Sequence, residues 1–204
     1  MKCINKKDII LNSILLKLNS AKICEINLIR LDTNYYINNC KPTLIKLIRR
    51  IMCYSKDINI SSQRTLLNVN DSSCKNCFAQ NGNVDISIQK ILANDESLLT
   101  RRCIANNINI DLETQIMLIY YNNKLINECL AHNPNIHESL QNILAKNSEY
   151  DVKAWLAGNE NVKLSAQKIL ANDEDFYTRR KLYNNCNIDP QIKELLKNDE
   201  WNYS

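Results

Sequence analysis

Residues 129–154 read CLAHNPNIHESLQNILAKNSEYDVKA, and residues 155–180 read WLAGNENVKLSAQKILANDEDFYTRR in the same phase. Laid together they agree at Leu130/Leu156, Ala131/Ala157, Asn133/Asn159, Asn135/Asn161, Gln141/Gln167, Ile143/Ile169, Leu144/Leu170 and Ala145/Ala171. A chain that repeats itself at a fixed period builds units whose apolar face only a neighbouring unit can cover, which is the sequence signature of a stacked array. Working outward, unit starts fall at Cys77, Cys103, Cys129, Trp155 and Lys181, each 26 residues after the last. A period held without insertion leaves little room for large functional loops.

Apolar residues recur at the second position of the unit (Phe78, Ile104, Leu130, Leu156, Leu182), the eighth (Val84, Ile110, Ile136, Val162, Ile188) and the sixteenth (Leu92, Leu118, Leu144, Leu170, Leu196). The fifteenth is apolar too (Ile91, Met117, Ile143, Ile169, Leu195), and all four positions are expected to form core ladders. Between them runs N-x-N, as Asn81/Asn83, Asn107/Asn109, Asn133/Asn135, Asn159/Asn161 and Asn185/Asn187. Asparagine tolerates the left-handed conformation that ends a helix, and its amide can bond backbone groups freed at a turn. The ten asparagines are therefore expected to be a structural ladder that satisfies loop backbone. Each unit then holds two short helices, about Asp151 to Ala157 and Lys163 to Leu170 in the clearest copy. Helices that short are marginal alone, so stacking must stabilise them.

Ahead of the clear copies, Met52, Ile58, Gln63 and Leu66 fall on the Leu130, Ile136, Gln141 and Leu144 positions, so residues 51–76 read as a worn first repeat. Residues 1–50 read as a basic helical cap. Ile9, Ile10, Ser13, Leu16 and Lys17 lie at helical spacing behind Asp8. Pro42 opens a second helix, Thr43 to about Cys53, with Leu44, Leu47, Ile48 and Ile51 on one face and Lys46, Arg49 and Arg50 on the other.

The formal charge of +4 averages two unlike parts: residues 1–76 carry 13 Lys+Arg against 5 Asp+Glu, whereas residues 77–204 carry 13 against 17. The parts are thus +8 and −4, which predicts different partners or surfaces for them. With 45% apolar residues the chain can bury a core and is not of the disordered class. No run of about 18 apolar residues exists, so no membrane span is expected. The apolar stretch Ile9 to Leu18 is interrupted by Asn12, Ser13 and Lys17 and fails as a signal peptide. A reducing cytoplasm is the expected location, and the heavy use of Ile, Asn and Lys looks like an AT-rich bacterial genome.

The pattern of a short helix, A-x-N-x-N-[IV], a second helix ending in ILA, then N-D-E resembles the leucine-rich repeat variant family and, more broadly, short HEAT-like α-solenoids. It covers about residues 77–204, and 51–76 less closely. That family's unit is slightly shorter and usually has Pro after the Asn, which here survives only at Pro134. The resemblance implies a right-handed superhelix of two layers of short helices and no activity. The expected fold is all-α: a right-handed α-solenoid of about five to six 26-residue two-helix repeats (51–76, 77–102, 103–128, 129–154, 155–180, 181–204) behind an N-terminal helical cap, residues 1–50.

Catalytic motifs are missing. Two glycines, Gly82 and Gly158, cannot build a phosphate-cradling loop, and HExxH, GxSxG and GxxxxGK are absent, so no enzyme is expected. The one metal-like spacing is the CxxC at Cys74–Cys77, which Cys53, Cys40 or Cys103 would have to complete as a zinc or iron–sulfur site; family members can carry an N-terminal iron–sulfur cluster. Otherwise these cysteines read as small apolar fillers. Cys129, His132 and His137 lack a fourth ligand. Arg101/Arg102 and Arg179/Arg180 each follow an acidic pair by six residues and are expected to make salt links to that turn.

Aromatics that break the repeat are the better candidates for a partner site: Tyr120, Tyr121, Trp155, Phe176, Tyr177, Tyr183 and Trp201, since exposed aromatics are enriched at hot spots. Three readings follow. The first is a non-enzymatic repeat scaffold that binds another protein, favoured as a basic one by the −4 array, and within that class an inhibitor or immunity-type protein that neutralises a toxin or effector. The second is a nucleic-acid binder using Lys46, Arg49, Arg50 and Arg64. The third is an iron–sulfur or zinc repeat protein using Cys53, Cys74, Cys77 and Cys103.

Overall fold

In the structure, a computed structural model, residues 53–54, 58–68, 72–147, 149–197 and 199 are described. All regular structure among them is helical. Eleven helices, each of seven to nine residues, follow in order: α1 Ile60–Leu67, α2 Ser72–Ala79, α3 Ile86–Ala93, α4 Leu98–Ala105, α5 Leu112–Tyr120, α6 Lys124–His132, α7 Glu138–Ala145, α8 Tyr150–Ala157, α9 Leu164–Leu170, α10 Phe176–Tyr183 and α11 Pro190–Leu196. The described residues fall into two compact units, divided between Asn83 and Val84. The proposed cap, residues 1–50, lies outside the described residues, as do Lys46, Arg49, Arg50, Cys40 and Trp201.

The helix starts follow from the chemistry of their first residues. Asn59, Asp85, Ser97, Asp111, Asn123, Asp175 and Asp189 each accept a hydrogen bond from a backbone N–H of the first turn, and His137 does so through its ring. The helix ends do not use the expected left-handed asparagine. Caps Asn106, Gly158 and Asn184 keep right-handed or near-zero ψ values, and among described non-glycine residues Asn122 alone has positive φ, at 45°. The first Asn of each N-x-N supplies the reason. Its Oδ1 accepts the N–H of the second Asn at 2.9 Å in all five copies, so the turn closes through the side chain.

Within the second unit the helices pack on their sequence neighbours and on the helix two places along. Thus α4 meets α6, α6 meets α8 and α8 meets α10, while α3 meets α5 and α7 meets α9. Two polar ladders join successive copies. Gln89, Gln115, Gln141 and Gln167 are buried, and each Nε2 donates both to a carbonyl five residues back and to one 20 residues ahead. Each Oε1 accepts the N–H of the residue 22 ahead. In the first unit Gln63 donates in the same way to Ile58 and Asn83. The asparagines form the second ladder. Nδ2 of Asn133, Asn159 and Asn185 donates to carbonyls 28 and 26 residues back, and Nδ2 of Asn135, Asn161 and Asn187 to one 27 back. The expected use of N-x-N on loop backbone is therefore what these side chains do.

The core ladders at the second, eighth and sixteenth positions are buried wherever the residue is described, apart from a half-buried Ile188. The fifteenth position is not core: Ile91, Ile143 and Leu195 are 54, 53 and 62% exposed, and Met117 and Ile169 are half-buried. The buried arc of the second helix is set by positions twelve (Ile88, Thr114, Leu140, Ala166, Ile192), thirteen (the glutamines) and sixteen. At 3.6 residues per turn, position fifteen falls about 60° beyond the edge of that arc.

The arginine expectation also needs correction. Arg101 Nη1 donates to the carbonyls of Asp95 and Glu96, and Arg179 Nη1 to those of Asp173 and Glu174, rather than to carboxylates. The aspartate of each pair closes its own turn: Asp95 and Asp173 accept the N–H of Ser97 and Asp175. Carboxylate pairing instead runs forward by 20 residues, from Lys153 to Asp173 at 2.7 Å and from Arg179 to Asp199 at 2.6 Å.

Gly158 caps α8 at φ −81° and ψ −8°, a conformation any residue adopts, and a Cβ there would sit 3.6 Å from the Ala154 carbonyl oxygen, an ordinary contact. Gly158→Ala is expected to raise stability by about 0.5–1 kcal/mol by restricting the unfolded chain, seen as a higher urea midpoint with unchanged slope. A lowered midpoint would contradict this.

Candidate partner-binding surface

Helix α5 runs one residue longer than α3 and α7, because Ile119-Tyr120 continues it where Ala93-Asn94 and Ala145-Lys146 end the others. Asn122, in the left-handed region, then turns the chain so that Asn123 can cap α6. The two tyrosines at this corner have opposite fates. Tyr121 is fixed: its hydroxyl donates to Asn94 Oδ1 at 2.9 Å, and the Arg101 guanidinium lies 4.7 Å above its ring. Tyr120 is 90% exposed, with no hydrogen-bond or ring partner among the described residues. Beside them Lys90, Ile91, Asn94, Asp95 and Glu96 line an open hollow of about 450 Å³. Arg101 and Tyr121 hold the rim of that hollow, since they bond Asp95, Glu96 and Asn94. Its cation is committed. Lys90 pairs with Glu113, and this hydrogen bond, more than the opposing burial, holds its ammonium above the ordinary lysine range.

The remaining aromatic candidates lie elsewhere. Trp155 on α8 is half-exposed and meets the His132 ring edge-on, centroids 5.2 Å apart. Phe176 and Tyr177 begin α10, which packs on α8, so the structure brings these three onto adjoining helices. Tyr177 carries the Lys181 ammonium at 5.3 Å and Tyr183 that of Lys193 at 5.5 Å. Tyr150, which the sequence reading passed over, carries Lys124 at 5.8 Å. The Asp151 carboxylate bonds Lys124 and raises its pKa against a lowering by burial, with attraction from Asp151, Glu149 and Glu128 adding to the rise. The chain's own cations therefore already occupy the faces of Tyr121, Tyr150, Tyr177 and Tyr183.

A second set escaped the sequence reading. Ile86 and Ile91 on α3, Leu112 and Ile116 on α5, Ile143 on α7, Leu164 on α9 and Leu195 on α11 are exposed aliphatics. The signal that could have found them is the phase of the helix, anchored on the glutamine at position thirteen.

For metal chemistry, Cys53 and Cys74 come together with sulfurs 3.2 Å apart, Cys77 takes a hydrogen bond from the Tyr54 hydroxyl at 3.5 Å, and Cys103 lies in the second unit. Among the described residues no three His, Cys, Asp or Glu side chains gather to hold an ion. His137 caps α7 through Ser139 and His132 rests on Trp155, so they do not converge with Cys129. Cys103 and Cys129 are buried as expected, whereas Cys77 is half-buried and Cys186 exposed. Of the proposed nucleic-acid residues Arg64 alone is described, exposed near the end of α1. No described helix is long and apolar enough to cross a membrane.

These features define the class: an all-helical, repeat-like chain whose exposed aliphatic and aromatic side chains stand on joined short helices. No family model, curated protein or solved structure matches it.

Proposed function

We propose that the chain is a right-handed α-solenoid of 26-residue, two-helix units that acts as a non-enzymatic scaffold binding a basic protein, and within that class as an inhibitor of a basic effector or toxin. Supporting the solenoid are the glutamine and asparagine bonds that recur between residues 20 to 28 apart. The observation that carries the partner reading is the α3–α5 corner. There Tyr120 stands 90% exposed, Ile91 and Ile116 are exposed on the same two helices, and the hollow is edged by the exposed carboxylate of Glu96. A partner with an aliphatic or aromatic side chain beside a Lys or Arg would meet apolar surface and negative charge together, on a part of the chain whose net charge is −4. Exposed aromatic side chains of this kind are enriched among the hot spots of interfaces.

The test is a photo-crosslinking residue at position 120 in the source cell, followed by mass spectrometry and titration of the purified partner. One basic protein is expected, binding Tyr120→Ala about 30-fold more weakly, the effect of losing one hot-spot side chain. Crosslinks to nucleic acid, or an affinity unchanged by Tyr120→Ala and Ile91→Asp, would overturn the proposal.

A further inference from the structure

We propose that Cys53 and Cys74 are a peroxide-oxidised dithiol, a modification site in the first unit independent of the α3–α5 corner. Their Sγ atoms lie 3.2 Å apart and both residues are buried. The Cys53 thiol also lies 3.2 Å from the Cys74 carbonyl oxygen. Three bonds hold the helical pair Cys53–Tyr54 against α2 and the turn that follows it. These are the thiol-to-carbonyl contact, Tyr54 Oη to Cys77 Sγ, and Asn81 Nδ2 to the Cys53 carbonyl at 2.8 Å. A disulfide needs a sulfur separation of about 2.05 Å, so closure takes a shift of about 1 Å from the contact already made. Contact of this kind between thiols 21 residues apart in sequence is made by the fold and not by chain proximity.

The reaction balances without a cofactor. One cysteine, as thiolate, attacks an oxygen of hydrogen peroxide. The O–O bond breaks, hydroxide leaves, and a sulfenic acid remains. The second sulfur attacks the sulfenyl sulfur and expels its oxygen, which leaves with a proton as water. Two thiols and one peroxide thus give one disulfide and two waters. Burial selects the oxidant: a water-sized peroxide can enter through small local openings, while a disulfide of glutathione size cannot reach either sulfur. Sulfur contact makes the second step intramolecular and fast, so the sulfenic acid is trapped before further oxidation. The bond would close a loop containing α1 and raise the thermal midpoint by roughly 5–10 °C.

The experiment uses the full reduced chain, graded hydrogen peroxide, alkylation of remaining thiols, and non-reducing tryptic mapping. Trypsin places Cys53 in residues 51–56, Cys74 in 65–75 and Cys77 in 76–90, so the three are resolved. The expected product is 51–56 linked to 65–75, reversed by dithiothreitol, together with the raised midpoint. Two results would overturn the proposal: a 65–75 to 76–90 link in its place, or both peptides recovered alkylated at a peroxide level that modifies exposed Cys186. Cys53→Ala must abolish the linked pair while leaving Cys186 oxidation unchanged; since the wild-type map decides alone, a variant that misfolds does not protect the idea.

Discussion

Replacing Gln141 by methionine is expected to lower the unfolding free energy by roughly 3–5 kcal/mol, although side-chain volume hardly changes and no exposed group is touched. Gln141 is fully buried. Its Nε2 serves the Ile136 and Asn161 carbonyls at 3.1 and 3.2 Å, and its Oε1 accepts the Lys163 N–H at 2.7 Å. Methionine supplies none of the three bonds, so backbone groups of two successive copies lose their partner in a place water cannot easily fill. Glutamate makes the sharper variant. It can still accept from Lys163, but a carboxylate would face two carbonyl oxygens, which raises its pKa and favours its neutral form. The damage from Gln141→Glu should therefore be smaller at acid pH, where the group is protonated in folded and unfolded chains alike and its single O–H can still serve one of the two carbonyls. It should grow as pH rises through about 4.3, the value in the unfolded chain. Urea titrations at pH 4 and pH 7 measure both. A methionine variant within about 1 kcal/mol of wild type would show that the ladder is decorative.

The glutamines also mark the limit of what could be read from sequence. Helix content, the 26-residue spacing and the backbone role of N-x-N were legible because each rests on local chemistry or on simple recurrence. The phase of the second helix was not. Its period can be satisfied by an apolar stripe through Ile143 or by one through Leu140, Gln141 and Leu144, and a glutamine in the core runs against the ordinary burial of polar residues. Only the three backbone groups that meet Gln141 make its burial favourable, and they come from two different copies. Aromatic exposure was legible in part. The sequence marks Tyr120 and Tyr121 as equal departures from the repeat, yet Arg101 and Asn94, residues of the preceding copy, hold one and leave the other to solvent.

The second large effect separates neighbours on one helix. Leu144→Ala is expected to cost about 3–5 kcal/mol, since Leu144 is fully buried on α7 and truncation leaves a cavity in addition to the lost transfer energy. Ile143→Ala, one residue earlier, should cost less than about 1 kcal/mol, because half of that side chain already faces water. The pair is decisive because helix propensity favours alanine over either residue by similar small amounts, so the difference reports burial alone. Equal costs would place position fifteen back in the core and remove Ile91, Ile143 and Leu195 from the exposed surface. Unequal costs in the expected direction would mean that these aliphatics contribute little to folding and stand on the surface rather than in the core.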